Sequence, residues 1–201
     1  YQAEPFELAG LRVPRRDIFA EGYGFLPVST SRGCPFDCAF CAIHTFYGGS
    51  YRQRPVPEVL EELRALPRGH RVVFFSDGNL YGYSERDRQR FLELCRGIAQ
   101  LREAGELPFA RWTAYGSVNA LDDPEALDLA ARAGCLALFV GFESINPESL
   151  EEMGKKLNLR FGVDSYQRLV RNAPERGILV VGELGVGADA APPEVLADPA
   201  A

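Results

Sequence analysis

Five short apolar runs, separated by stretches of helical periodicity, constrain this chain more than any other feature. They span residues 25–30, 72–75, 109–115, 136–142 and 178–184. Between them, punctuation residues mark helices. One opens near Pro57 and carries Val59, Leu63 and Leu66 on one stripe. Ser84 and Asp87 resemble a capping box, with Asp in the place usual for Glu or Gln. The helix they open aligns Phe91, Leu94, Cys95, Ile98 and Leu101, with Gly105 just past its end. Asp123-Pro124 and Asn146-Pro147 are cap-and-proline starts, and Gly134 closes the first of these helices. A helix over 164–172 stops at Pro174. Apolar strands alternating with amphipathic helices predict an α/β fold, a parallel sheet covered by helices. Right-handed crossovers permit either a barrel-like or a doubly wound sheet, and the pattern leaves both open.

With 201 residues the chain supports one well-buried domain. Residues 1–24, with Pro5, Pro14, Arg15 and Arg16, read as a lead-in; 25–189 form the core; the Ala- and Pro-rich residues 190–201 form a tail. A net charge of −6 argues against a dedicated nucleic-acid surface, which needs clustered Lys and Arg. No apolar run is long enough to span a bilayer. The start at Tyr1 shows neither the basic nor the apolar region of a signal peptide. The expectation is a cytoplasmic protein with no nucleic-acid or membrane partner.

Three of the five cysteines fall in Cys34-Pro35-Phe36-Asp37-Cys38-Ala39-Phe40-Cys41, a C-x3-C-x2-C loop following the first strand. Parallel α/β folds keep their active sites at strand C-terminal ends. Clustered thiolates suit an iron–sulfur cluster or zinc, and His44 makes a Cys3His zinc site possible on paper. A small loop-rich module is the usual setting for structural zinc. Three thiolates on a four-iron cubane leave one iron open, which the amino and carboxylate groups of S-adenosylmethionine (SAM) could chelate. One electron delivered to the neighbouring sulfonium would then break a C–S bond and release a 5′-deoxyadenosyl radical. Cys95 and Cys135 lie on apolar faces and read as buried thiols.

Ser31-Arg32-Gly33-Cys34-Pro35-Phe36-Asp37-Cys38-Ala39-Phe40-Cys41 resembles the signature of radical SAM enzymes, in particular the branch with a cobalamin-binding domain ahead of the barrel. The resemblance runs from about Pro14 to Asp189. It implies a partial TIM-like (β/α)6 barrel, of which five strands are legible, with a [4Fe–4S] cluster on Cys34, Cys38 and Cys41. It places Phe40 against the SAM adenine and Asp77 and Asn79 near the SAM amino group. The branch usually has a second acidic residue before the Asn, where this chain has Gly78. Glu143 and Ser144 take the ribose position. Lys155 to Asn158 match a Lys-x-x-Asn element, and Tyr51 to Pro55 match a basic stretch whose alternative is a solvated linker. Gly182, Glu183 and the glycine-rich run to Gly187 frame the adenine, while Trp112 and Tyr115 face either the barrel or the core. The implied partners are a small-molecule substrate and a reductant such as flavodoxin or ferredoxin, with any cobalamin supplied by a domain absent from this chain. Methyl transfer is the usual outcome in that branch. A non-catalytic truncated relative and a zinc protein stand as alternatives.

Overall fold

The computed structural model describes residues 6–18, 24–69 and 72–185, apart from the side chain of Asp17. Residues 186–189 of the expected adenine segment, and the tail, lie outside the described residues. In chain order the elements are β1 (Phe25–Val28), β2 (Ser31–Gly33), α1 (Ala42–Phe46), β3 (Tyr51–Gln53), α2 (Val56–Arg64), β4 (Val72–Phe75) and α3 (Glu85–Glu103). There follow β5 (Arg111–Gly116), α4 (Val118–Leu121), α5 (Pro124–Arg132), β6 (Cys135–Glu143), α6 (Pro147–Glu152), α7 (Lys156–Phe161), α8 (Tyr166–Asn172) and β7 (Leu179–Leu184).

Five strands form one sheet in the order β1-β4-β5-β6-β7, every neighbouring pair parallel. This sequential order resolves the ambiguity the pattern left. A doubly wound sheet reverses its strand order at a switch point; here each crossover steps the same way, as in a barrel wall. Alternation then assigns the faces. Leu26, Val28, Val73, Phe75, Ala114, Leu138 and Val140 are buried in one core with the helical residues Val59, Leu63, Leu94, Ile98, Leu127 and Leu169. Trp112 belongs to this core, fully buried, with its indole N–H donating to Ala133 O at 3.0 Å. The opposite face carries Phe74, Tyr115 and Phe139, whose ring centroids stand 5.5–6.3 Å apart.

Three local readings need revision. The first run ends as a sheet strand at Val28; residues 31–33 instead pair antiparallel with 51–53 as a separate two-stranded ribbon. The stretch after Tyr51 is therefore ribbon rather than solvated linker, and Arg54 is buried. The helix near Pro57 starts one residue earlier, at Val56. Residues 163–165 form a 3-10 turn before α8, so the last helix is shorter than expected.

The capping readings hold in detail. Ser84 and Asp87 make a reciprocal capping box on α3. Asp123 caps α5 through Ala126 N at 3.1 Å, and also accepts from Tyr81 Oη at 2.8 Å and Arg88 Nε at 2.6 Å. Burial alone would raise the Asp123 pKa; Arg88, the Ala126 amide and Tyr81 outweigh it and hold the carboxyl below its usual range. A depressed carboxylate contributes stability that is present above its unfolded value, about pH 4, and is lost as pH falls through its folded value. Asp123→Ala should therefore cost about 2–3 kcal/mol at neutral pH, with the deficit against wild type shrinking below about pH 4. Urea titrations at several pH values read this directly, and a deficit independent of pH would contradict it.

Candidate cluster and cofactor site

The cysteine loop leaves β2 at the C-terminal end of the five-stranded sheet. Cys34, Cys38 and Cys41 are each half-buried and unpaired with one another. The loop is held by backbone rather than by the thiols. Ala39 N donates to Met153 O at 2.9 Å, and Cys41 N to Cys38 O at 3.1 Å. Gly154, at φ +69°, lets the α6–α7 turn approach Cys38 and Ala39. Burial raises the thiol pKa values of both Cys34 and Cys38; the Phe36 backbone amide offsets this at Cys34, and Lys155 does so at Cys38. Both thiols must lose a proton to bind metal. The donor set, three thiols on one backbone-fixed loop with an ammonium nearby, fits a cluster that leaves one iron without a protein ligand. His44 is exposed on α1, its ring against Gly49.

Two glycines shape this loop. Gly33 sits at φ +86°, where a Cβ would fall 1.8 Å from Ser50 O. Gly78 follows β4 with its Cα against the loop; a Cβ there would lie 3.4 Å from Cys34 Cβ and 3.1 Å from Gly33 O. The residue that departs from the expected acidic pair is thus one where a Cβ would crowd Gly33 O and Ile43 and touch Cys34. Gly33→Ala combines a backbone clash with an unfavourable φ. We expect it to open the β2–β3 ribbon and cut iron incorporation to a small fraction of wild type. An iron-to-protein ratio measured after reconstitution checks this; full loading would show that the ribbon does not set the loop.

Asp77 and Asn79 are both buried. Asp77 is 1% exposed, and its carboxylate accepts from Thr30 N at 3.0 Å, Thr30 Oγ1 at 3.0 Å and Ser31 Oγ. It ties the end of β1 to the start of the cysteine loop. Asn79 is buried as well, donating to Ser117 Oγ at 3.0 Å and accepting from Gly82 N at 2.8 Å. Tyr51 Oη donates to its carbonyl at 2.9 Å.

The remaining site residues gather at the ends of β6 and β7. The β6–β7 pairing slips between Gly141 and Glu143. Glu143 adopts φ +63°, the one left-handed non-glycine among the described residues. Such strain costs about 1–3 kcal/mol and collects at functional sites. The result is that the Glu143 carboxylate folds back over Gly141, where a Cβ would meet Oε1 at 2.3 Å. Lys155 Nζ pairs with it at 3.1 Å. Asn158 Nδ2 fixes the bulge from behind, donating to Gly141 O and Phe142 O at 3.1 and 3.2 Å. Ser144 Oγ accepts from Asn146 N at 3.0 Å, so its hydrogen is free to donate. Gly182 lies against the Phe142 ring. Burial, then the neighbouring Glu143, raise the Glu183 pKa, and Lys155 opposes them. Phe40 is 57% exposed beside Cys41. Tyr115 stands on the open face with Phe74 and Phe139, so of the two aromatic strand residues only Trp112 is core.

A thiol loop above a strand-ordered parallel sheet, with a strained carboxylate–ammonium pair near it, defines a partial barrel wall whose reactive groups gather at one sheet end. The family model of the Radical SAM superfamily matches residues 28–189. The bacteriochlorophyllide d C-12(1)-methyltransferase of Chlorobaculum tepidum is 37% identical over 82% of this chain and 34% of its own length. The hopanoid C-2 methylase of Rhodopseudomonas palustris is 31% identical over 83% and 31%. The radical SAM methyltransferase TsrM of Kitasatospora setae, solved with tryptophan and a SAM analogue, superposes with TM-score 0.72 at 29% identity, covering 85% of this chain and 32% of TsrM. The cobalamin-dependent enzyme OxsB shares the fold at TM-score 0.65 and 22% identity. The chain belongs to the Radical SAM superfamily, whose cofactors are a [4Fe–4S] cluster and SAM. It spans about a third of the length of the relatives it matches.

Proposed function

We propose that this chain is the catalytic core of a radical SAM enzyme whose reaction is methyl transfer to a small molecule. The observation that carries the reading is the convergence at one sheet end of the three-cysteine loop with the strained Glu143–Lys155 pair. Cys34, Cys38 and Cys41 would hold a [4Fe–4S] cluster, which supplies one-electron reduction of SAM when bound. Phe40 offers an exposed ring for the adenine. Glu143, with the Ser144 hydroxyl, offers an acceptor and a donor for the ribose diol. Gly182 and Glu183 border the same end. Lys155 holds Glu143 in its left-handed bend and lowers the negative charge beside the thiolates. Asp77 and Asn79 are positioning residues: one anchors the cluster loop, the other the turn after β4. The methyltransferase names of the relatives support the reaction class. The structure of TsrM with cobalamin and a [4Fe–4S] cluster bound supports a cobalamin domain outside this chain. Flavodoxin or ferredoxin would supply the electron, in the cytoplasm. No helix among the described residues is long and apolar enough to cross a membrane.

The test is anaerobic incubation of cluster-loaded protein with SAM and dithionite. Formation of 5′-deoxyadenosine is the expected result. A loaded cluster with no SAM cleavage would favour a non-catalytic relative.

A further inference from the structure

β1 is an edge strand of the five-stranded sheet. Its outward carbonyls need donors, and two arginines supply them. Arg16 from the lead-in donates to Pro27 O at 2.9 Å, and Arg54, just past β3, to Ser29 O at 2.9 Å. Glu62 of α2 neutralises both at 2.6 and 2.5 Å. Along this edge lies a cavity of about 490 Å³. Four arginines line it (Arg12, Arg16, Arg32 and Arg54), against Glu62 as the one carboxylate, whose two oxygens Arg16 and Arg54 already occupy. Arg12 and Arg32 meet no carboxylate among the described residues. Arg54 Nε is buried there with no acceptor. At the mouth, Arg32 Nη1 donates to Ser29 Oγ at 3.0 Å, and Ser29 and Ser76 share a hydroxyl–hydroxyl hydrogen bond of 2.8 Å. Both serines directly follow the C-terminal ends of β1 and β4, and Arg32 lies two residues before Cys34.

We propose that this cavity is an oxyanion site that anchors a phosphate or carboxylate group of the small-molecule substrate, with Arg12 and Arg32 as its principal ligands and the Ser29–Ser76 pair supplying one hydroxyl donor. Unneutralised guanidinium forks pair preferentially with planar or tetrahedral oxyanions. Ser29, Ser76 and Arg32 lie at the same sheet end as the thiol loop, so an acid held there would keep the rest of its molecule at that end. That the acid belongs to the substrate rests on the radical-enzyme reading; the presence of the anion site does not.

The test is equilibrium dialysis of radiolabelled inorganic phosphate against the cluster-loaded protein at two salt concentrations, alongside the Arg12→Gln/Arg32→Gln and Arg12→Lys/Arg32→Lys double variants. One phosphate per chain is expected, weakened by added salt, and weakened at least about tenfold by the Gln pair but less by the Lys pair. Both arginines are exposed, so iron content should stay at the wild-type level and report an intact fold. Saturating SAM should leave phosphate binding unchanged. Absence of binding, binding indifferent to the Gln pair, or one-for-one displacement by SAM overturns the proposal, the last by assigning the anion to the methionyl carboxylate. Loss of SAM cleavage with phosphate binding retained would instead remove the radical reading and leave the anion site standing.

Discussion

The Cys38→Ala protein should fold as wild type does, yet hold no [4Fe–4S] cluster and form no 5′-deoxyadenosine. The separation of these effects follows from how the loop is built. Its shape is set by Ala39 N on Met153 O, by Gly33 on the ribbon and by Asp77 on Thr30 and Ser31, none of which uses a thiol. A thiol contributes little packing at a half-buried position, so the cluster-free forms of the two proteins should differ in stability by no more than about 1 kcal/mol. A cubane left with two protein thiolates loses a bonded iron rather than a weak contact, so the loss of iron should be near complete. Denaturation midpoints with iron and sulfide assays on the same preparation read both halves. A Cys38→Ala protein that assembles the same cluster and cleaves SAM would remove this residue from the site.

The second large effect is structural. Glu62 is 1% exposed and joins Arg16 to Arg54, which in turn satisfy the carbonyls of the edge strand. Glu62→Ala leaves two buried guanidinium groups without their counter-charge. Removing one partner of a buried ion pair costs about 3–5 kcal/mol, a large share of the roughly 5–15 kcal/mol that holds a domain together. For a chain of this size that corresponds to a fall of roughly 6–20 °C in the thermal midpoint. The lead-in should also detach, because Arg16 is one of its anchors to β1, so its proteolysis should accelerate ahead of global unfolding. A midpoint within about 2 °C of wild type would mean that solvent or another group neutralises the arginines.

Much of this architecture was legible in the sequence, for identifiable reasons. Strand alternation, the Ser84–Asp87 box and the Asp123-Pro124 start are local rules, and each formed where its residues stand. The cysteine spacing is equally local. What could not be read is the pairing of distant polar groups. Asp77 falls where a family pattern places a ligand to SAM, but its partners Thr30 and Ser31 come from the β1–β2 junction, 46 residues or more earlier. Only the fold reveals that its oxygens face inward. The ribbon of residues 31–33 and 51–53 escaped notice because three-residue strands carry no periodicity. The left-handed bend at Glu143 has no sequence sign of its own; Gly141, two residues earlier, is the trace it leaves. Lys155 follows twelve residues later across a helix, too far for spacing to connect the two. The arginine-lined edge of β1 drew on residues 12, 16, 32 and 54, scattered among ordinary surface charges.

The most direct test of the account is the iron, zinc and acid-labile sulfide content of the anaerobically purified and reconstituted chain. About four irons and a matching amount of sulfide per chain are the expected result, with a chain bearing Cys34→Ala, Cys38→Ala and Cys41→Ala at background. One tightly held zinc without sulfide would contradict the account and make His44 the fourth ligand to examine.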